Sequence, residues 1–171
     1  MTAAAVTPFR ELHHICLVVR DIDQSVAYYE SIGIGPWQDY PPLTEYTQLS
    51  VPDPDAFRAL KYKIANLANV QLQLCEPPDL DCPQRRFLDA HGEGVFHIGF
   101  ESDLDAAATA ADALGLPVLM RGQRDNGTGF IYFDTYDQAG TVLLTRQSAL
   151  NAEPEERPWA ETAVGAQCRL A

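Results

Sequence analysis

Leu12 to Ile34 reads LHHICLVVRDIDQSVAYYESIGI, and Val95 to Leu116 reads VFHIGFESDLDAAATAADALGL. Each stretch opens on a compact apolar run with a His-Ile step, crosses an acidic turn, enters a helical-period segment and meets a glycine. His14 to Gly33 spans 19 residues and His97 to Gly115 spans 18, while His14 to Asp21 spans 7 and His97 to Asp103 spans 6. One residue lost in the turn accounts for both offsets, so the chain repeats a strand-then-helix opening. Asp21 or Asp23 suits the first helix start, where a carboxylate accepts orphan N–H groups, and Gly33 suits the left-handed position after its end.

The first opening is followed by five prolines, Pro36, Pro41, Pro42, Pro52 and Pro54, which break regular structure yet leave EYTQLSV as an edge strand. Strands are predicted near Phe57 to Ala65 and at VQLQLCEP. The second opening leads to GFIYFDTY and GTVLLTRQ, separated by an Asp-Gln-Ala-Gly turn. Both units therefore read β-α-β-β-β. The first module is assigned to residues 10–77, a linker with a short helix at Gln84 to Ala90 to residues 78–94, and the second module to residues 95–148. Residues 149–171 form a polar, acidic tail.

The 171 residues match about one domain, and 46% hydrophobic content suffices for a packed core. Twelve Lys+Arg against 24 Asp+Glu give a net charge of −12, which repels nucleic acid and anionic membranes. No apolar run approaches the roughly 20 residues of a membrane span, and Met1 to Arg10 lacks a basic segment followed by a long apolar core. A soluble, cytoplasmic protein is expected. Cys16, Cys75, Cys82 and Cys168 form no C-x-x-C pair and read as reduced thiols, those in strands as small hydrophobes.

Strand alternation places His14, Cys16 and Val18 on one face and His13, Ile15, Leu17 and Val19 on the other, the more apolar set facing the helices. The same parity turns Gln71, Gln73 and Cys75 inward on one strand, and His97, Gly99 and Glu101 on another. An interior holding His14, Gln73 and His97 needs an explanation, because unpaired buried polar groups cost roughly 1–3 kcal/mol each. A divalent metal with open positions is one; a hydrogen-bonded polar core is the other.

In this order, LHHICLVVRDIDQSVAYYESIGIGPW, VQLQLCEP, RRFLDAHGEGVFHIGF and GTGFIYFDT resemble the vicinal oxygen chelate superfamily, the glyoxalase and bleomycin-resistance fold, across residues 10–148. The HGEGVFHIGF segment is most similar to methylmalonyl-CoA epimerases. The resemblance implies an α+β fold of two βαβββ modules forming a half-barrel of eight strands. It also implies a divalent metal ion (Mn, Co, Ni, Zn or Fe) on four side chains, and His14, Gln73 and His97 match three of them. The fourth position, a glutamate in the family, is Leu144 here, so the anionic ligand and one acid/base group are missing. Glu101 and Asp134 share the inward parity of their neighbours and are candidate replacements. Glu45 lies where the epimerases carry their other base, and Tyr132 alternates with Phe130 and Asp134 so as to offer a hydroxyl.

The implied function is an epimerase, isomerase or lyase that abstracts a proton next to a carbonyl and stabilises the enolate in the concave cleft. The alternatives are a non-enzymatic binder of small molecules, like the antibiotic-sequestering members, and a ring-cleaving dioxygenase. The expected partner is a small carbonyl-containing molecule, and a homodimer is implied by the resemblance.

Overall fold

In this computed structural model, residues 7–148 are described. The chain order is β1 (Glu11–Val18), α1 (Ile22–Ser31), β2 (Gln38–Asp39), a 3-10 turn (Leu43–Glu45), β3 (Tyr46–Ser50), α2 (Pro54–Arg58), β4 (Lys61–Asn66), β5 (Gln71–Glu76) and α3 (Pro83–His91). The second half continues with β6 (Gly94–Glu101), α4 (Leu104–Leu114), β7 (Val118–Arg124), β8 (Gly129–Phe133), α5 (Tyr136–Ala139) and β9 (Val142–Gln147). The acidic tail lies outside the described residues.

The two openings take the same form for the same local reasons. Asp21 accepts from Gln24 N ahead of α1, and Asp103 accepts from Ala106 N ahead of α4. Gly33 (φ 89°) and Gly115 (φ 66°) follow the two helices in the left-handed region that a Cβ disfavours. The two first strands then meet as antiparallel neighbours, β1 on β6, at the centre of one sheet ordered β2-β4-β5-β1-β6-β9-β8-β7-β3. Each is flanked by the last strand of its own unit in parallel, β5 beside β1 and β9 beside β6. Local twofold symmetry thus follows from the repeat.

The strand count differs from the expected eight. The proline-rich stretch yields two short strands rather than one, because prolines interrupt it without removing the pairing of Gln38–Asp39 with β4. The strand predicted near Phe57 to Ala65 begins only at Lys61. Asp53 caps and Pro54 starts a helix there, and the Asp53 carboxylate accepts from Asp55 N and Ala56 N. The Asp-Gln-Ala-Gly turn closes as the short helix α5, ended by Gly140 in the left-handed region.

β3 leaves the unit that encodes it. It pairs with β7 at the far edge, whereas β2 sits on the opposite edge against β4. Residues 38–50 therefore form a strap from one edge of the curved sheet to the other. Its middle is held by Arg124, whose guanidinium lies 4.3 Å from the Tyr46 ring centre and 5.7 Å from that of Tyr40. Arg124 Nη2 donates to the carbonyls of Pro41 and Pro42, each at 3.3 Å. The main core, which includes Cys16, Val18, Phe57, Phe96, Phe130 and Leu144, lies inside this curve. Val19, Ile22 and Leu74 form a separate cluster with α1 residues Val26 and Tyr29.

Candidate active site

A cleft enclosing about 460 Å³ of empty space, counted to its mouth, lies within the curve of the sheet. His14 of β1, Tyr62 of β4, Gln73 of β5, Phe130 and Tyr132 of β8, and Leu144 and Arg146 of β9 line it, with Tyr40, Leu43 and Tyr46 from the strap. Aromatic and aliphatic walls thus enclose His14, Gln73, Thr128 and Arg146, and Arg146 is the only charged group among the lining residues. Strand parity explains the pairs from β8 and β9, since residues two apart on a strand share a face.

His14 and His97 meet as the repeat predicts, Nε2 to Nε2 at 3.0 Å. Both rings are buried, 3% and 0% exposed, and His97 stands outside the cleft lining, against His14. The approach depends on Gly99 of β6. A Cβ at that position would lie 2.0 Å from His14 Cε1, so only glycine leaves room for the ring.

The parity rule fails at His13. The β1–β6 register shifts between Leu12 and His14, and this irregularity draws two consecutive histidines into one network. His13 is 3% exposed, its Nδ1 lies 2.8 Å from His14 Nδ1, and Arg146 Nη1 lies 2.8 Å from His13 Nε2. His13 and Arg146 are the participants that sequence reasoning missed. The HH doublet signalled the first, and the inward parity of Val142, Leu144 and Arg146 signalled the second.

Burial, then the neighbouring His97, His13 and Arg146, hold the His14 pKa well below its usual value. Burial alone depresses that of His97 to about 3. Both imidazoles are neutral at pH 7. Burial also raises the Tyr132 and Tyr62 hydroxyls well above the ordinary tyrosine range, so both stay protonated. Gln73 Nε2 donates to Gln71 Oε1 at 2.7 Å, and Gln71 Nε2 donates to Asn66 Oδ1 at 2.8 Å, a relay that fixes the Gln73 amide.

The remaining sequence candidates fall in different places. Glu45 stands on the strap between the lining residues Leu43 and Tyr46, half-exposed, with Oε2 3.5 Å from Arg124 Nε. Glu101 accepts from Ser148 N at 2.7 Å and pairs with Arg146 Nε at 3.6 Å, so it anchors the guanidinium. Asp134 is exposed and stands outside the cleft lining.

The donor set does not fit the divalent ion that the resemblance implies. His14 and His97 have the spacing of two adjacent ligands, but the third donor is a neutral amide, the fourth position is the buried Leu144, and a guanidinium lines the same space. Nothing there offsets a +2 charge, and Arg146 adds to it. Among the described residues, no three His, Cys, Asp or Glu side chains are arranged to hold a metal ion.

Two repeated units sharing one curved sheet, with a histidine from the first strand of each meeting beside a single cleft, define the glyoxalase-like architecture. Residues 13–133 match the family model of the Glyoxalase/Bleomycin resistance protein/Dioxygenase superfamily, and the chain belongs to that family. Among solved structures it is similar to methylmalonyl-CoA epimerase from Mycobacterium tuberculosis, at 17% identity over 91% of this chain and 97% of that one, with a TM-score of 0.62. A Streptomyces coelicolor methylmalonyl-CoA epimerase variant in complex with 2-nitronate-propionyl-CoA is similar at 22% identity over 82% of this chain and 99% of that one, TM-score 0.62. A hypothetical protein from Bacillus halodurans C-125 is similar at 16% identity over 84% and 97%, TM-score 0.62. No curated protein matches the sequence. Among the described residues, no helix is long and apolar enough to cross a membrane.

Proposed function

We propose that the cleft binds a small carbonyl-containing molecule and promotes loss of a proton from the carbon beside the carbonyl, a reaction of isomerase, epimerase or lyase type. The observation that carries this reading is the convergence of His14, Gln73 and Arg146 inside walls that are mostly aromatic and aliphatic. As the C–H bond breaks, its electron pair moves into a C=C bond and charge develops on the carbonyl oxygen. The Arg146 guanidinium, the Gln73 amide and the Tyr132 hydroxyl are donors suited to that oxyanion in a site shielded from water. The proton passes to the Glu45 carboxylate, which stands on the strap between the lining residues Leu43 and Tyr46, and is returned to the same carbon in an epimerase, to a neighbouring carbon in an isomerase, or to the expelled group in a lyase.

A second reading is a sequestering protein, which holds its ligand without turnover. It is favoured by the absence of any carboxylate among the lining residues. Proton NMR in D2O separates the two, with small 2-oxo acids, 1,3-dicarbonyls and thioesters, methylmalonyl-CoA included, each tested for exchange beside the carbonyl. The expected result is exchange in at least one class, reduced about 100-fold or more by Glu45→Gln, the scale of a lost general base. Saturable binding without exchange establishes the second reading, and neither binding nor exchange overturns both.

A further inference from the structure

We infer that Arg146 is a positioning residue that fixes the tautomers of His13, His14 and His97 and thereby closes the His14–His97 pair to metal. The tautomers follow from which atoms donate. A guanidinium has N–H donors and no acceptor, so His13 Nε2, 2.8 Å from Arg146 Nη1, presents a lone pair. A ring nitrogen without a proton leaves the other to carry it, which makes His13 Nδ1 a donor. That nitrogen lies 2.8 Å from His14 Nδ1, which therefore accepts. The His14 proton is then on Nε2, donated across 3.0 Å to His97 Nε2. His97 in turn keeps its proton on Nδ1, a buried atom without a hydrogen-bond partner among the described residues.

The bonds run in one direction, from Arg146 through His13 and His14 to His97, and each ring is neutral. Both nitrogens that face each other are thereby committed, His14 Nε2 by its proton and His97 Nε2 by accepting it. A metal there needs His14 Nε2 bare. Moving that proton to Nδ1 sets it against the His13 Nδ1 proton. Reversing His13 in turn sets a proton against the guanidinium. Arg146 itself is held by Glu101, 3.6 Å from its Nε, so it does not swing away freely. The inference holds whichever ligand the cleft takes, and whether or not Glu45 acts as a base.

Long-range 1H–15N spectra of the histidine rings at neutral pH read the order directly. The expected pattern is protons on His13 Nδ1, His14 Nε2 and His97 Nδ1, and a proton on His14 Nδ1 overturns the inference. Co2+ titration followed by visible absorption gives the second arm. Arg146→Met should bind Co2+ through His14 and His97 at least about tenfold more tightly than the native protein, the size of effect that groups orienting a ligand ring produce. Arg146→Lys, which retains a donor, should bind Co2+ no more tightly than the native protein. Native protein that binds Co2+ as tightly as Arg146→Met, with the His14 and His97 resonances perturbed, overturns the inference. Where Arg146→Met does not fold, the native spectra decide.

Discussion

Replacement of Gly99 by alanine tests the histidine network at its steric foundation. The new methyl carbon would lie 2.0 Å from His14 Cε1, 2.4 Å from Nε2 and 2.5 Å from Nδ1, whereas ordinary contact begins at 3.4 Å. The ring must retreat by about 1.4 Å, which exceeds what either N···N bond, at 2.8 and 3.0 Å, can stretch and survive. Losing two buried hydrogen bonds with polar atoms left unpaired costs about 1–3 kcal/mol each, and the overpacking adds about 1–3 kcal/mol. A destabilisation of about 3–9 kcal/mol is expected, read as a lower urea midpoint and a fall in Tm of about 10 °C or more. The control is a double-mutant cycle with His14→Ala, in which the alanine at 99 meets no ring and should cost under about 1.5 kcal/mol. Gly99→Ala within about 1 kcal/mol of the native protein in both backgrounds would refute the steric argument.

Three further outcomes are expected. Because burial depresses the pKa values of His14 and His97, the unfolded chain takes up protons below its own histidine pKa while the folded chain does not. Stability is therefore fully present above about pH 6.5 and falls as pH drops from there toward the depressed values, by up to two protons per molecule in urea titrations, with His97→Asn removing one. Arg124→Ala should loosen the strap, speeding amide exchange in residues 40–50, and lower stability by about 1–3 kcal/mol through loss of ring stacking and carbonyl bonds. Leu144→Glu should lower Tm without a new response to Mn2+, because it buries a carboxylate beside histidines whose facing nitrogens are already paired; a Tm raised selectively by Mn2+ would show instead that a missing ligand alone keeps metal out.

The periodicity of LHHICLVV and VFHIGFE carried the central strands, and the acid-then-glycine bracket carried both helices, because these features depend on neighbours within a turn or two. Strand parity turned His14, Gln73 and His97 inward together; His14 and Gln73 line the cleft, whereas His97 packs against His14 outside the lining. The destination of residues 46–50 was not legible, since an edge strand carries no local mark of the partner it joins 75 or so residues away. His13 escaped alternation because an irregular register depends on how two distant strands share bonds. The helix at 54–58 was overlooked although Asp53-Pro54 is a capping signal, since the apolar run after it suggested strand. Family position supplied Glu45, and its ion pair with Arg124 lay beyond any pattern within the sequence.

The exchange of β3 makes the two repeats unequal partners. A chain divided near residue 78 would yield a first fragment carrying a strand whose hydrogen-bonding partner, β7, resides in the other, and a second fragment with an uncovered edge. The duplicated halves are thus stitched together, and neither retains the outline of a free-standing ancestor. One short segment supplies both outermost strands, so the two margins of the sheet are tied to each other through the strap. Severing the backbone between residues 40 and 45 would untie the two margins from each other, so proteolytic nicking there should let β2 and β3 leave and open β4 and β7 to strand pairing with neighbouring molecules.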